Sequence, residues 1–190
     1  MTQPRHHYSL DDYFAVEQSS PIRHEYLDGE ILAMAGASLA HNDISANVLA
    51  ILRTALRGAG CRAFGSDLRI VTPTGLYTYP DVSVICGPPA LVPGRPDTVS
   101  NPILLVEVLS AATRDYDRGD KLTAYETIPA LREVLLVDQE EVAVEWRHRT
   151  DTGVWMSEAY RALDGVVRLS SIPTELALAD VYREVFGPSA

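Results

Sequence analysis

Two carboxylates stand in segments that otherwise have the composition of buried strands. Asp81 lies in the segment 79–85 and Glu107 in the segment 103–109, both rich in β-branched and other apolar residues. A buried ionised carboxylate without a partner is costly, so it must be paired, protonated or bound to a cation. A divalent metal with oxygen ligands would satisfy both carboxylates at once. The simpler interpretation of each residue alone is a solvated or salt-bridged carboxylate at a strand end.

Lys121 follows these two segments and is the only lysine in the chain, beside fifteen arginines. Arginine stays protonated and presents a planar fork, whereas lysine is a compact ammonium whose pKa shifts readily on burial. A single surface lysine could have arisen by chance. Its position after two acidic strands instead favours a functional role.

The helices and turns that must position these residues are predicted from the spacing of apolar residues and from capping and turn residues. Ser9 and Asp12 predict a capping box that opens a helix, and Asp28-Gly29 predicts a hairpin turn. Apolar residues at helical spacing predict a helix over 39–57, with His41 in its first turn. A further helix over 117–127 would place Lys121 and Tyr125 on one face.

Several segments complete the predicted fold. Further strands are expected at 62–64, 67–71, 132–137, 142–147, 154–160 and 166–169, a turn at 72–78, a Pro- and Gly-rich loop at 87–102, and a closing amphipathic helix at 177–186. This order predicts an α/β (α+β) fold with a mixed central sheet flanked by helices. The length of 190 residues fits one domain, 1–190.

The net charge and the apolar runs of the chain limit the binding partners and the cellular compartment that are expected. The net charge of −10 argues against a broad basic surface for nucleic acid, although it allows a local basic channel. Arg53 and Arg57 on the long helix, with Arg114 and Arg118 near Lys121, are the candidates for such a group, and ordinary surface solvation is their simpler interpretation. Without a signal peptide or an apolar run long enough to span a membrane, a cytoplasmic protein is expected.

The two cysteines, Cys61 and Cys86, are expected to be reduced thiols, because two cysteines do not make a disulfide framework. No G-x-S-x-G or Walker A motif occurs, which leaves serine-hydrolase and P-loop chemistry without support.

Several separated motifs resemble the Uma2 (DUF820) family, bacterial proteins of the restriction-endonuclease-like PD-(D/E)XK superfamily. The resemblance spans roughly residues 8–147. The matching motifs are His24-Glu25-Tyr26-Leu27-Asp28-Gly29-Glu30-Ile31, His41-Asn42, Tyr79-Pro80-Asp81-Val82, Val106-Glu107-Val108-Leu109-Ser110, and then Thr113, Asp117, Arg118, Gly119, Lys121 and Tyr125.

The resemblance implies a restriction-endonuclease-like core with named site residues. Pro80-Asp81 matches the PD element and Glu107 the (D/E) position, so these two carboxylates would bind Mg²⁺ or Mn²⁺. Two positions beyond Glu107, where the superfamily usually has lysine, stands Leu109, and Lys121 on the following helix would replace that lysine. Glu30 and His41 match other positions that the family favours, where they could support a second cation or relay a proton.

The function implied is a metal-dependent endonuclease that hydrolyses phosphodiester bonds of nucleic acid, with DNA as the expected substrate and a homodimer as the expected assembly. Two alternatives remain open. One is a catalytically weak binding or regulatory module that retains the fold, which is credible because no DNA-reading motif such as a helix-turn-helix is present. The other is a hydrolase of a different phosphate ester.

Overall fold

The structure is a computed structural model that describes residues 7–34 and 36–186. Its helices are α1 (Leu10–Ser19), α2 (Leu39–Ala55), α3 (Arg114–Tyr116), α4 (Leu122–Glu126) and α5 (Leu178–Val181), with a π-helical turn at Asp117–Lys121 between α3 and α4. Its strands are β1 (His24–Leu27), β2 (Glu30–Ala33), β3 (Cys61–Gly65), β4 (Arg69–Val71), β5 (Tyr77–Thr78), β6 (Val82–Cys86), β7 (Leu91–Val92), β8 (Arg95–Val99), β9 (Leu104–Leu109), β10 (Glu133–Asp138), β11 (Val144–Arg149), β12 (Trp155–Tyr160), β13 (Val166–Arg168) and β14 (Glu175–Ala177).

The strands form two six-stranded sheets and a separate hairpin of β13 and β14. The central sheet has the order β12-β11-β10-β9-β6-β3, with β9 and β10 parallel and the other neighbours antiparallel. The predicted mixed sheet flanked by helices is therefore confirmed. The second sheet has the order β2-β1-β5-β4-β8-β7. It includes β5, β7 and β8, so the turn predicted at 72–78 and the loop predicted at 87–102 were wrong in those parts.

Apolar side chains cover both faces of the central sheet. On one face lie the buried residues of α2, Ile44, Val48 and Leu52, whose helical spacing gives that helix a single apolar side. On the other face, α4 and the second sheet share a core with β9 and β10. Every residue of β9 and β10 is buried, as expected for strands covered on both faces. Glu107 therefore lies in an interior strand.

The strand register brings the two predicted carboxylates together. β6 and β9 are antiparallel, with Val82 opposite Val106, so Asp81, one residue before β6, comes next to Glu107. Directly opposed residues of antiparallel strands point to the same face with Cβ atoms about 4.5–5.5 Å apart. The predicted pairing of two acidic strands thus follows from a register that the sequence alone did not reveal.

The helix predicted at 117–127 is interrupted. It begins earlier, at Arg114, passes through the π-helical turn, and has non-helical backbone angles at Gly119 (φ −102°, ψ −108°) before it continues as α4. Gly119 therefore makes a kink at which two helical segments meet. Here the turn contains Asp117 and Lys121, and both side chains are buried.

The expectation of reduced thiols was wrong, because Cys61 and Cys86 form a disulfide. The two cysteines are directly opposed in the register of β3 and β6, with Cα atoms 3.9 Å apart. Their separation of 25 residues in sequence gave no sign that these two strands are neighbours.

Two predicted helices, one near each end of the chain, can be compared with the structure. The capping box predicted at Ser9 and Asp12 is present at the start of α1. The closing helix predicted at 177–186 is shorter, since α5 has four residues and β14 includes Ala177. Within residues 7–34 and 36–186, no helix is both long and apolar enough to cross a membrane.

Candidate active site

A cavity of about 630 Å³ lies where the start of β6, the end of β9, the N-terminus of α2 and the π-helical turn meet. Ser38 caps α2 by accepting a hydrogen bond from the backbone N–H of His41, which fixes the first turn of that helix at the cavity wall. The charged and histidine side chains that line the cavity are Glu25, His41, Asp81, Glu107, Asp117, Lys121 and Glu140.

Lys121 lies at the centre of this group. Its Nζ is 3.0 Å from Oε1 of Glu107, 3.0 Å from Oε1 of Glu25 and 3.3 Å from Oδ1 of Asp117. All four residues are buried, with Lys121 only 4% exposed. The ammonium has three N–H donors, and three carboxylates surround it. The lysine therefore lies beside Glu107 although it belongs to a different element.

Two hydroxyl groups complete the surroundings of these carboxylates. Tyr125, one helical turn after Lys121, donates a hydrogen bond of 2.5 Å to Oε1 of Glu107. The predicted common face of Lys121 and Tyr125 is thus confirmed by a shared partner. Thr78 of β5 donates a hydrogen bond to Glu25 of β1 and so holds that carboxylate from the second sheet.

Asp81 has its own partners. Its Oδ1 is 2.8 Å from Nε2 of His41, and its Oδ2 accepts a hydrogen bond of 2.7 Å from the backbone N–H of Val108. The second bond crosses from β6 to β9 just beyond Glu107. The carboxylate of Asp81 is therefore held in position by one side chain and one backbone group.

The electrostatics of the cavity reflect an excess of negative charge. The pKa of Glu107 is raised to about 8, chiefly by burial and in addition by the neighbouring Asp81 and Asp117, whereas Lys121 and Tyr125 oppose the shift. Burial alone would lower the pKa of Lys121, but its carboxylate neighbours raise it well above the ordinary value. Burial likewise opposes protonation of His41, and Asp81 overcomes it, so the pKa of His41 is raised.

The structure brings together four of the five predicted site residues, namely Asp81, Glu107, Lys121 and His41. Glu30 lies on β2 opposite Leu27 and is not among the described residues that line the cavity. The role of Glu30 stays a prediction.

Three further residues of the site were quoted in the matching motifs without a catalytic role, namely Glu25, Asp117 and Tyr125. The signal for Asp117 and Tyr125 was their helical spacing of four residues on either side of Lys121. No such local signal exists for Glu25, because its contact with Lys121 spans 96 positions of sequence between two separate elements.

The candidate basic group is largely neutralised by acidic neighbours. Arg114 pairs with Asp138 at 2.9 Å and with Glu140 at 3.1 Å. Arg118 pairs with Glu145 at 2.5 Å. Arg53 on α2 and Arg57 in the turn that follows it are exposed and do not line the cavity. Among the described residues, the only basic side chains on the cavity wall are therefore Lys121 and His41.

The donor set at Asp81 and Glu107 fits a hard divalent cation. Each carboxylate offers about four lone-pair sites. The contacts of Asp81 with His41 and Val108, and those of Glu107 with Tyr125 and Lys121, occupy only part of them. Five carboxylates line the cavity against Lys121 and His41, so a bound cation would offset an excess of negative charge. In the described part of the chain, however, no three His, Cys, Asp or Glu side chains are grouped as a complete metal site. Water or substrate oxygens would have to complete the coordination, as is usual for Mg²⁺.

Comparison with known proteins gives matches over most of the chain. The Uma2 family, described as "Putative restriction endonuclease", matches residues 10–180. Two proteins of Synechocystis sp., both described as uncharacterized, are similar in sequence. The protein slr1290 is 38% identical over 178 residues, which cover 92% of this chain and 91% of that protein. The protein sll1609 is 34% identical over 146 residues, which cover 76% and 82% of the two chains.

A solved structure has the same fold. It is the crystal structure of a protein from Anabaena variabilis described as a putative nuclease belonging to DUF820. The TM-score is 0.77 at 18% sequence identity, and the match covers 94% of this chain and 99% of the other. At that identity the likeness concerns the fold.

Proposed function

This chain belongs to the Uma2 family, and we propose that it is a metal-dependent endonuclease that hydrolyses phosphodiester bonds of nucleic acid. The observation that carries the proposal is the cluster of Asp81, Glu107 and Lys121 at one cavity, with Lys121 Nζ 3.0 Å from Glu107. This cluster has the three residue types of the PD-(D/E)XK pattern, and the lysine reaches it from another element.

Asp81 and Glu107 would hold Mg²⁺ or Mn²⁺ in this proposal. The cation, when bound, supplies Lewis-acid chemistry, because it lowers the pKa of bound water and offsets charge on a phosphate oxygen. His41 and the N–H of Val108 keep the Asp81 carboxylate facing the cavity. Tyr125 does the same for Glu107.

Lys121 acts next to the reacting group. Its positive charge is fixed beside Glu107, where it stabilises negative charge that develops on a phosphate or an attacking oxygen. Glu25 and Asp117 position the ammonium rather than touch the substrate. Because the ammonium lies within 3.3 Å of three carboxylates, a substrate oxygen that contacts Lys121 has to compete with these ion pairs.

Nicking of supercoiled plasmid with Mg²⁺ or Mn²⁺ tests the proposal, with EDTA as the negative control and single-stranded DNA and RNA as parallel substrates. The variants are Asp81→Asn, Glu107→Gln and Lys121→Ala. Glu175→Gln is the matched control, since Glu175 forms an exposed ion pair with Arg168 on the separate hairpin. Far-UV circular dichroism of each variant establishes that it is folded.

The variants test the metal site and the lysine separately. Metal-dependent nicking that is lost in all three site variants and kept in Glu175→Gln supports the nuclease and its lysine together. Nicking kept in Lys121→Ala but lost in Asp81→Asn would retain the metal site and remove the lysine. Loss or retention of nicking in Glu30→Gln decides the predicted role of Glu30 separately. If folded wild type cleaves none of the nucleic acids, the nuclease proposal fails.

One observation favours a second candidate, a hydrolase of small phosphodiesters. Five carboxylates line the cavity, against Lys121 and His41 as the basic side chains of its described wall. A long polyanion gains little from such a wall, whereas a small ester needs only the cation site. A panel of dinucleotides, cyclic nucleotides and plasmid, assayed with the same variants, distinguishes the two candidates by relative kcat/KM.

A further inference from the structure

A second cavity, of about 340 Å³, lies between α1 and the start of β8. Phe14 and Glu17 of α1 contribute one wall, and Arg95 and Asp97 contribute the opposite wall. None of the described residues that line it also lines the active-site cavity. It is therefore a separate site, and three of the fifteen arginines of this acidic chain line it, namely Arg23, Arg69 and Arg95.

Two of these arginines share one aromatic ring. The guanidinium carbon of Arg95 is 3.5 Å from the ring centroid of Phe14, and that of Arg69 is 5.0 Å from the same centroid. The ring attracts both cations through its quadrupole. Both guanidinium groups also line the cavity, so an anion bound there would meet two positive charges.

The two guanidinium groups differ in their partners. Arg69 is buried, and its Nε donates to Thr98 at 2.8 Å while its Nη2 donates to both carboxylate oxygens of Asp97, at 2.9 and 2.8 Å. Its Nη1 donates to Tyr79 at 3.1 Å and lies 3.5 Å from a carboxylate oxygen of the buried Glu17. For Arg95, by contrast, the described residues provide no carboxylate within ion-pair distance. The donors of Arg69 are thus bound to protein groups, whereas Arg95 has unused donors.

Asp97 differs from its partner Arg69 in solvent exposure. Its side chain is 57% exposed, whereas the Arg69 side chain that it pairs with is 4% exposed. A buried guanidinium therefore presents a donor to the cavity, and a solvated carboxylate occupies it. Guanidinium groups bind phosphate oxygens with the same planar geometry that they use for carboxylates.

We propose that this second cavity binds a phosphate group, with Arg95 and Arg69 as the residues that contact it and Asp97 as a carboxylate that the phosphate displaces. The ligand is a phosphate monoester, as at the end of a nucleotide, or a phosphodiester within a strand. The proposal rests on the contacts of this cavity alone and does not depend on the nuclease activity.

Isothermal titration calorimetry with inorganic phosphate, in EDTA, tests the site on the full chain. Arg95→Gln is expected to weaken phosphate binding by at least about ten-fold, because it removes a charged hydrogen-bond donor from the anion. Asp97→Asn is expected to tighten binding, because it removes the exposed one of the two carboxylates, Glu17 and Asp97, that line the cavity. A purely structural Asp97 would give the opposite sign. Arg53→Gln, an exposed arginine of α2, is the matched control and should bind as wild type does.

The melting temperature is a second measurement, which still tests the proposal if one of the variants folds poorly. Phosphate that binds only the folded chain raises the melting temperature by mass action, and Arg95→Lys, which keeps the charge but lacks the fork, should show a smaller rise than wild type. The proposal is overturned if phosphate neither produces heat nor raises the melting temperature of wild type and Asp97→Asn. Equal losses in Arg95→Gln and Arg53→Gln would overturn it as well, because they would indicate unspecific charge attraction.

The source of the phosphate is distinguished by two further titrants. Thymidine monophosphate carries a monoester, and a thymidine dinucleotide without terminal phosphates carries only a diester. Tighter binding of the monophosphate assigns the site to a free phosphate end, and equal or tighter binding of the dinucleotide assigns it to a strand backbone. All titrations avoid catalysis, so their failure would leave the nuclease proposal untouched.

Discussion

Replacing Lys121 by methionine removes the ammonium while it keeps an unbranched side chain of similar length. In the structure that ammonium is 3.0–3.3 Å from Glu25, Glu107 and Asp117, all of them buried. Removing one partner of a buried ion pair typically costs about 3–5 kcal/mol. Because the remaining carboxylates would face each other, we expect Lys121→Met to lower the free energy of unfolding by about 3–5 kcal/mol at pH 8.

The cost should depend on pH through Glu107. Its folded pKa of about 8 lies above the unfolded value of 4.5, so the folded state binds more protons between these values and stability falls as pH rises. The raised pKa of Lys121 keeps the lysine charged throughout that range. Loss of the ammonium raises the pKa of Glu107 further, so the penalty in Lys121→Met should be smaller at pH 5 than at pH 8.

Urea unfolding of both proteins in EDTA at the two pH values measures this. Arg161→Met is the control, since Arg161 forms an exposed pair with Glu141 at 3.4 Å, and such pairs contribute about 0–1 kcal/mol. A loss below about 1 kcal/mol at pH 8 would contradict the buried cluster, because it would equal a surface pair. An equal loss at pH 5 and pH 8 would contradict the assigned role of Glu107.

Three other predictions use the same unfolding assay. Tyr125→Phe removes the hydroxyl that donates to Glu107, and we expect a loss of about 1.5–3 kcal/mol, with no loss if the hydroxyl is bound to solvent instead. Reduction of the disulfide between Cys61 and Cys86, which closes a loop of 25 residues, should cost about 3 kcal/mol, and Cys61→Ser should then be insensitive to reductant. In EDTA, wild-type stability should fall between pH 5 and pH 8 by at most about 1.4 kcal/mol per pH unit. The fall of stability with pH should be less steep in Glu107→Gln. An unchanged slope would mean that another group titrates in this pH range.

The sequence predicted those parts of the site that local patterns encode. Asp81 and Glu107 were identifiable because carboxylates are costly in apolar strands, and spacing rules placed His41 in the first turn of one helix and Lys121 on another. The resemblance to the Uma2 family then related these separate segments to one another. Each of these signals lies within about ten residues of the side chain that it concerns.

The missed features depend on contacts between distant segments. Glu25 was given no role, because its ion pair with Lys121 joins β1 to a segment 96 positions later in the sequence. The second sheet was underestimated because β5 and β7 have two residues each, too few to show an alternation. The disulfide was missed for the same reason, since it depends on the adjacency of β3 and β6.

The acidic cavity also determines how a nucleic acid would bind. Nucleic-acid affinity normally comes from Lys and Arg contacts to phosphates, and each contact adds about 0.9 to the slope of log affinity against log salt. Here the described cavity wall offers Lys121 and His41 against five carboxylates. We therefore expect oligonucleotide binding to require a divalent cation, with a slope no steeper than about −2 in monovalent salt. Fluorescence anisotropy with a labelled oligonucleotide, in Ca²⁺ or in EDTA, measures both quantities. Tight binding in EDTA with a steep slope would show that the strand lies on a basic surface elsewhere, and the cation at Asp81 and Glu107 would then serve catalysis without contributing to affinity.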